Sequence, residues 1–151
     1  MNHPIESEPL DHLLAQISRL HYHRAHELLN KLGLYRGQPP VLFALWKKEG
    51  LSHSELAQQL QITPTTITKM LQRMEKAGFV YSQPDEQDQR VSRVYLTEAG
   101  RRIQGDVQEV WDRLNKENFA GFSAEEEPIL RQFLNRIRNN LIKITGDNVP
   151  F

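Results

Sequence analysis

The residues best suited to chemistry in this chain lie close together. Thr63, Thr65, Thr66 and Thr68 precede Lys69, Gln72, Arg73 and Lys76, and no acid occurs between Thr63 and Met74. Small hydroxyls followed by an amide and cations form a hydrogen-bonding set suited to base edges and phosphates. On a helical projection Thr65, Lys69, Gln72 and Lys76 point one way, with Thr68 and Arg73 beside them. Ile67, Met70, Leu71 and Met74 gather on the opposite face. Such a helix can enter a major groove. The threonines would then approach base edges or thymine methyls, Gln72 adenine, and Lys69 or Arg73 guanine or phosphate. The helix dipole adds a favourable field for phosphate at the Thr63 end. The same pattern also fits a merely solvated helix face, so the surrounding segments must decide.

Those segments have the layout of a positioned recognition helix. Ser52 and Glu55 have the spacing of a capping box, and Leu51 and Leu56 that of a hydrophobic staple. A short helix to about Leu60 is expected there, followed by a tight turn at Gln61 and Ile62. Thr63 then serves as N-cap, and Pro64 takes the first helical position, where its missing N–H costs nothing. This helix is expected to reach Ala77 and stop at Gly78. Two β-type runs, 79–83 and 91–96, flank a polar stretch that reads as a hairpin loop. A helix-turn-helix followed directly by a hairpin is a winged helix.

Longer helices flank this core. Leu10, Leu13, Leu14, Ile17, Leu20, Ala25, Leu28, Leu29 and Leu32 recur at spacings of three and four, predicting a helix over 10–32. After a loop at 37–40, a second helix is expected from Val41 to about Glu49, capped by Gly50. Downstream, Thr97 can cap a helix over about 98–117. A last helix follows Ser123 with Ile129, Leu130, Phe133, Leu134, Ile137, Leu141 and Ile144 aligned. Pro128 implies that this helix starts late or kinks in its first turn. The terminal stripes are wider than one subunit can cover, and a helical dimer interface would bury them. The expected fold is mostly α with a small β-hairpin: a winged helix-turn-helix core over 38–97, flanked by dimerisation helices in 1–37 and 98–151.

Composition narrows the function classes. The 151 residues are 38% hydrophobic and 25% charged, ordinary for one globular domain, and no apolar run approaches the length of a membrane span. Lys plus Arg equal Asp plus Glu at 19 each, so bulk charge advertises no nucleic-acid partner; local geometry must do so. Cysteine is absent, which excludes disulfides, thiolate catalysis and Cys-ligated zinc. No glycine-rich phosphate loop and no Ser-His-Asp context stands out, so an enzyme is not expected, nor a cofactor. The first eight residues carry neither a basic leader nor an apolar stretch, which leads to the expectation of a cytoplasmic protein.

The chain resembles the multiple antibiotic resistance regulator (MarR) family of bacterial winged-helix repressors. The resemblance rests on Ser54-Glu-Leu-Ala57, Ile62-Thr-Pro-Thr-Thr-Ile-Thr-Lys69, Leu71-Gln-Arg-Met-Glu-Lys-Ala-Gly-Phe-Val80, Asp88-Gln-Arg90 and Leu96-Thr-Glu-Ala-Gly100. One departure is Gln61, where related turns often carry a residue tolerant of positive φ. The resemblance implies a homodimer on a palindromic double-stranded DNA operator, acting as a repressor. It assigns Asp88 and Arg90 to the wing, the arginine approaching the minor groove or a nearby phosphate. Two residues apart on a strand share a face, so Asp88 could hold that guanidinium in place. It also implies a small aromatic or phenolic anion as effector, for which Arg19, Tyr22, His23, Tyr35, Phe43 and Trp46 are the candidate ligands. Zinc-sensing relatives give His21, His23 and His26 a low-weight alternative as metal ligands, although His21 points away from the other two; no metal site is assigned. The remaining alternative is a winged helix used for protein contacts without an operator.

Overall fold

The computed structural model describes residues 8–35 and 37–146. The expectation about a leader falls almost wholly on residues 1–7, outside the described residues. The elements run α1 (Leu10–Lys31), α2 (Gln38–Lys47), β1 (Leu51–Ser52), α3 (His53–Leu60), α4 (Pro64–Lys76), β2 (Val80–Pro84), β3 (Ser92–Leu96), α5 (Glu98–Asn118) and α6 (Glu126–Thr145). Among the described residues no helix is long and apolar enough to cross a membrane.

The core belongs to the winged helix. Leu42 and Leu45 of α2, Leu56 of α3, Ile67, Leu71 and Met74 of α4, and Val94 of β3 are all but inaccessible to solvent. The second half of α1 joins them through Ala25, Leu28 and Leu29, and α5 through Ile103, Val107, Val110 and Leu114. The other apolar stripes are uncovered. Leu10, Leu13, Ile17 and Leu20 of α1 are exposed, and α6 buries no residue at all. An isolated helix with that pattern leaves its main source of stability unused.

The helix ends follow local chemistry. Ser52 Oγ accepts the Glu55 N–H at 3.1 Å and Glu55 accepts the Ser52 N–H at 2.8 Å, completing the capping box. Thr97 Oγ1 caps α5 by accepting the Gly100 N–H at 3.0 Å. Pro128 falls in the first turn of α6, where no intrahelical donor is required, so the helix simply begins before it.

Three expectations need correction. The second helix begins at Gln38 rather than Val41, because Pro39 and Pro40 form its first turn instead of a preceding loop. It ends at Lys47, with Lys48 extended, so Gly50 is not its cap. Instead the Gly50 N–H donates to the Val94 carbonyl at 2.9 Å and leads the chain into β1. That two-residue strand turns the expected hairpin into a three-stranded antiparallel sheet of order β1-β3-β2. Leu51 pairs with Val94, while Val80 to Pro84 pair with Leu96 back to Ser92.

Candidate nucleic-acid interface

The outward face of α4 is prepared from below. Ile67, Leu71 and Met74 are fully buried and fix the rotation of the helix about its axis. The α3–α4 turn sets its direction: Gln61 takes the left-handed conformation (φ 52°, ψ 44°), and the Ile62 N–H donates back to the Ala57 carbonyl at 3.0 Å. A side chain in that region costs about 1 kcal/mol, which the capped helices on either side offset.

The four threonines have different roles. Thr63 Oγ1 accepts the Thr66 N–H at 3.2 Å and donates to the Thr66 hydroxyl at 2.8 Å, so these two form the helix cap. Thr65 is exposed and Thr68 half-buried. Lys69, Gln72, Arg73 and Lys76 are exposed along the ridge that continues from Thr65, and none makes a hydrogen bond or ion pair among the described residues. The one acid of α4, Glu75, accepts a 2.6 Å hydrogen bond from the Ser82 hydroxyl on β2. The ridge therefore carries three cations and an amide with their donors unused.

The wing is built differently from its expected form. Asp88 and Arg90 lie in the turn between β2 and β3, not on a strand, so no pleat aligns them. Their pairing comes from the turn: Asp88 accepts the Arg90 backbone N–H at 3.1 Å, and its two oxygens accept from the guanidinium at 3.0 and 3.2 Å. These bonds hold the Asp88 carboxyl below its usual range, the side chain of Arg90 contributing most. Arg90 remains 91% exposed.

Two residues that the sequence reading missed organise this turn. Asp85 accepts the backbone N–H groups of Gln87 at 3.2 Å and Asp88 at 3.0 Å, and a 2.6 Å bond from Arg93 Nε. Arg93 Nη1 donates to the Gly50 carbonyl at 2.9 Å, with Glu55 at 3.7 Å. An Asp just after the strand-ending Pro84 is a turn signal that could have revealed Asp85. Nothing local marks Arg93.

The six candidate effector ligands are not brought together. Phe43 and Trp46 line a trough between α2 and α5, with Trp111 adjoining; the Phe43 ring centroid lies 5.5 Å from that of Trp46 and 6.1 Å from that of Trp111. Trp46 Nε1 donates to the Gly100 carbonyl at 2.8 Å, so its polar end is already satisfied. Tyr35 lies elsewhere, in an open groove beside Lys69, Met70 and Arg73. Arg19, Tyr22 and His23 are exposed on α1. Tyr22 packs against His26 at 4.1 Å, and His21 Nδ1 is 3.0 Å from the Asn118 amide. Among the described residues no three His, Asp or Glu side chains gather as a metal-binding set.

Comparison with known proteins agrees with this geometry. A sequence model of the MarR family matches residues 34–92, which run from just ahead of α2 to the first residue of β3. The transcriptional regulator HosA of Escherichia coli is 30% identical over 129 residues, covering 85% of this chain and 93% of that protein. A variant of MepR from S. aureus superposes with a TM-score of 0.81 at 23% identity, over 89% of this chain and 99% of that one. A second MepR variant, solved bound to an oligodeoxyribonucleotide, has a TM-score of 0.69 at 23% identity and the same coverage. The exposed cationic ridge on a seated helix, the adjoining wing and these likenesses agree: the chain belongs to the MarR family and is a DNA-binding transcriptional regulator, not an enzyme.

Proposed function

We propose that the protein is a homodimeric repressor that reads a palindromic operator through α4 and the wing. In this reading Thr65, Thr68, Lys69, Gln72 and Arg73 face the major groove, and Lys76 reaches phosphate. Thr63 and Thr66 present the helix N-terminus to the backbone, and Arg90, oriented by Asp88, approaches the minor groove. The observation that carries it is the α4 ridge, whose donors are unused while Ile67, Leu71 and Met74 on the opposite face are fully buried.

Dimerisation is supported by the uncovered stripes of α1 and α6, on segments 1–37 and 98–151, outside the DNA-reading segment 38–97. Two copies joined there would hold their recognition helices at a fixed spacing, matched to half-sites about 10 base pairs apart. A small aromatic or phenolic anion that prefers another spacing would lower operator affinity by that preference alone. The trough of Phe43, Trp46 and Trp111, with Lys47 at its edge, offers its ring an aromatic wall and a nearby cation. In the dimer, Arg19, Tyr22 and His23 would border the joint, and Tyr35 would stay beside α4.

The test is selection of duplexes from a random-sequence pool by the full chain, with and without candidate aromatic acids. An enriched palindrome, bound by a dimer and released by one of the acids, is the expected result. Enrichment of no duplex would overturn the operator reading and leave a protein-contact role for the wing. Release by none of the acids would remove the effector.

A further inference from the structure

One side chain joins the turn of the wing to the residues ahead of α3. Arg93, on β3, donates from Nε to Asp85 Oδ1 at 2.6 Å and from Nη1 to the Gly50 carbonyl at 2.9 Å. It also lies 3.7 Å from Glu55, the residue that completes the α3 capping box. The other oxygen of Asp85 accepts two backbone N–H groups, one of them that of Asp88. Asp88 in turn clamps Arg90 through three hydrogen bonds. A run of hydrogen bonds to charged groups thus links the Gly50 carbonyl, just before β1, to the exposed guanidinium at the wing tip, with Glu55 of α3 alongside Arg93 at 3.7 Å. Arg suits the junction because its planar fork holds its donors to a carboxylate and a carbonyl in one fixed geometry, whereas the donors of a lysine ammonium rotate freely.

We propose that Arg93 and Asp85 are positioning residues for DNA binding, which set the direction of Arg90 relative to α4 without touching DNA themselves. This rests on the reading of Arg90 as a DNA contact. A flexible two-stranded wing would lose entropy on binding; one already braced against the α3 start loses less. Arg93 donates from Nε and Nη1 and is only one-third exposed, whereas Arg90 is almost wholly exposed. The first braces and the second reaches out.

The experiment is a double-mutant cycle on a duplex enriched by the wild-type full chain, read as binding affinity and as footprint protection at the wing. Arg90→Ala alone should weaken binding about fivefold or more. Arg93→Met should weaken it by a comparable factor and erase wing protection while α4 protection persists. The Arg90→Ala/Arg93→Met double variant should then bind no more weakly than Arg90→Ala. Asp85→Asn, which keeps the side-chain size, should behave as Arg93→Met does and covers the case in which the methionine variant folds poorly. Fold-losses that multiply in the double variant would mean that Arg93 acts independently of Arg90, and the proposal fails while the DNA reading stands. Affinity unchanged by Arg93→Met and Asp85→Asn would overturn it equally. Should Arg90→Ala itself bind like wild type while Lys69→Ala does not, the wing contact fails, and this proposal with it.

Discussion

Gly100 lies so close to the backbone carbonyl oxygen of Phe79 that a Cβ on it would overlap that oxygen. The first turn of α5 therefore packs directly on the chain entering β2, with no room for any side chain. The same residue's carbonyl accepts the Trp46 indole N–H, so α2, the wing and α5 meet there. Gly100→Ala must push two backbones apart. We expect a loss of about 1–3 kcal/mol of stability, measured by chemical denaturation. A variant as stable as wild type would show that the approach is looser than this.

Arg24 on α1 grips Glu117 near the end of α5 through Nε and Nη2 at 2.9 and 2.8 Å, and Arg113 adds a bond at 2.9 Å. These bonds, Arg24's first, lower the Glu117 carboxyl to about 2. A depressed carboxyl contributes stability that is present above its unfolded value near 4.5 and lost as pH falls through the folded one. Stability should thus decline between about pH 4.5 and 2, and Glu117→Gln should reduce that decline. An identical acid-denaturation profile for wild type and Glu117→Gln would show that the grip contributes nothing.

The α3–α4 unit was legible because its signals are local. Ser52 and Glu55 are three residues apart, and Thr63-Pro64 marks a helix start without reference to anything distant. β1 was illegible for the opposite reason: Leu51 and Ser52 are a strand only because Val94 and Arg93 lie beside them. Pro39 and Pro40 carry two meanings, loop or first helical turn, and the burial of Gln38 and Pro39 against the core selects the second. Asp85 and Arg93 meet only once the hairpin register is known. The effector candidates share neighbouring elements, but the rotation of each helix about its axis separates Tyr22 from Trp46.

In the proposed complex the α4 ridge would divide into residues that hold DNA and residues that read it. Lys69, a flexible point charge, should contribute mostly to phosphate attraction. Lys69→Ala should weaken binding to every duplex alike and reduce the salt slope by about 1. Gln72 carries paired donor and acceptor atoms and can bind adenine bidentately. Gln72→Ala should cost about 1–3 kcal/mol on the preferred duplex and little on random DNA. Equal losses on both duplexes for Gln72→Ala would assign it to the backbone instead.

A joint between two copies on the α6 stripe, as proposed above, would be separable from the fold of one. Phe133 is 51% exposed, and no residue of α6 is buried. A charge there removes nothing from the core, so Phe133→Glu should leave the thermal transition of the winged helix intact. In a dimer the same change would place an unpaired carboxylate in an apolar joint, which is costly. Sedimentation should then find single copies at concentrations where the wild type is paired. Each single copy holds one half-site, so operator affinity should fall steeply while the contacts of α4 with non-specific DNA persist. Truncation after Phe122 should have the same effect by removing the joint outright. Pairs that survive both changes would place the dimer contact somewhere other than α6, and the apolar stripe would need another partner.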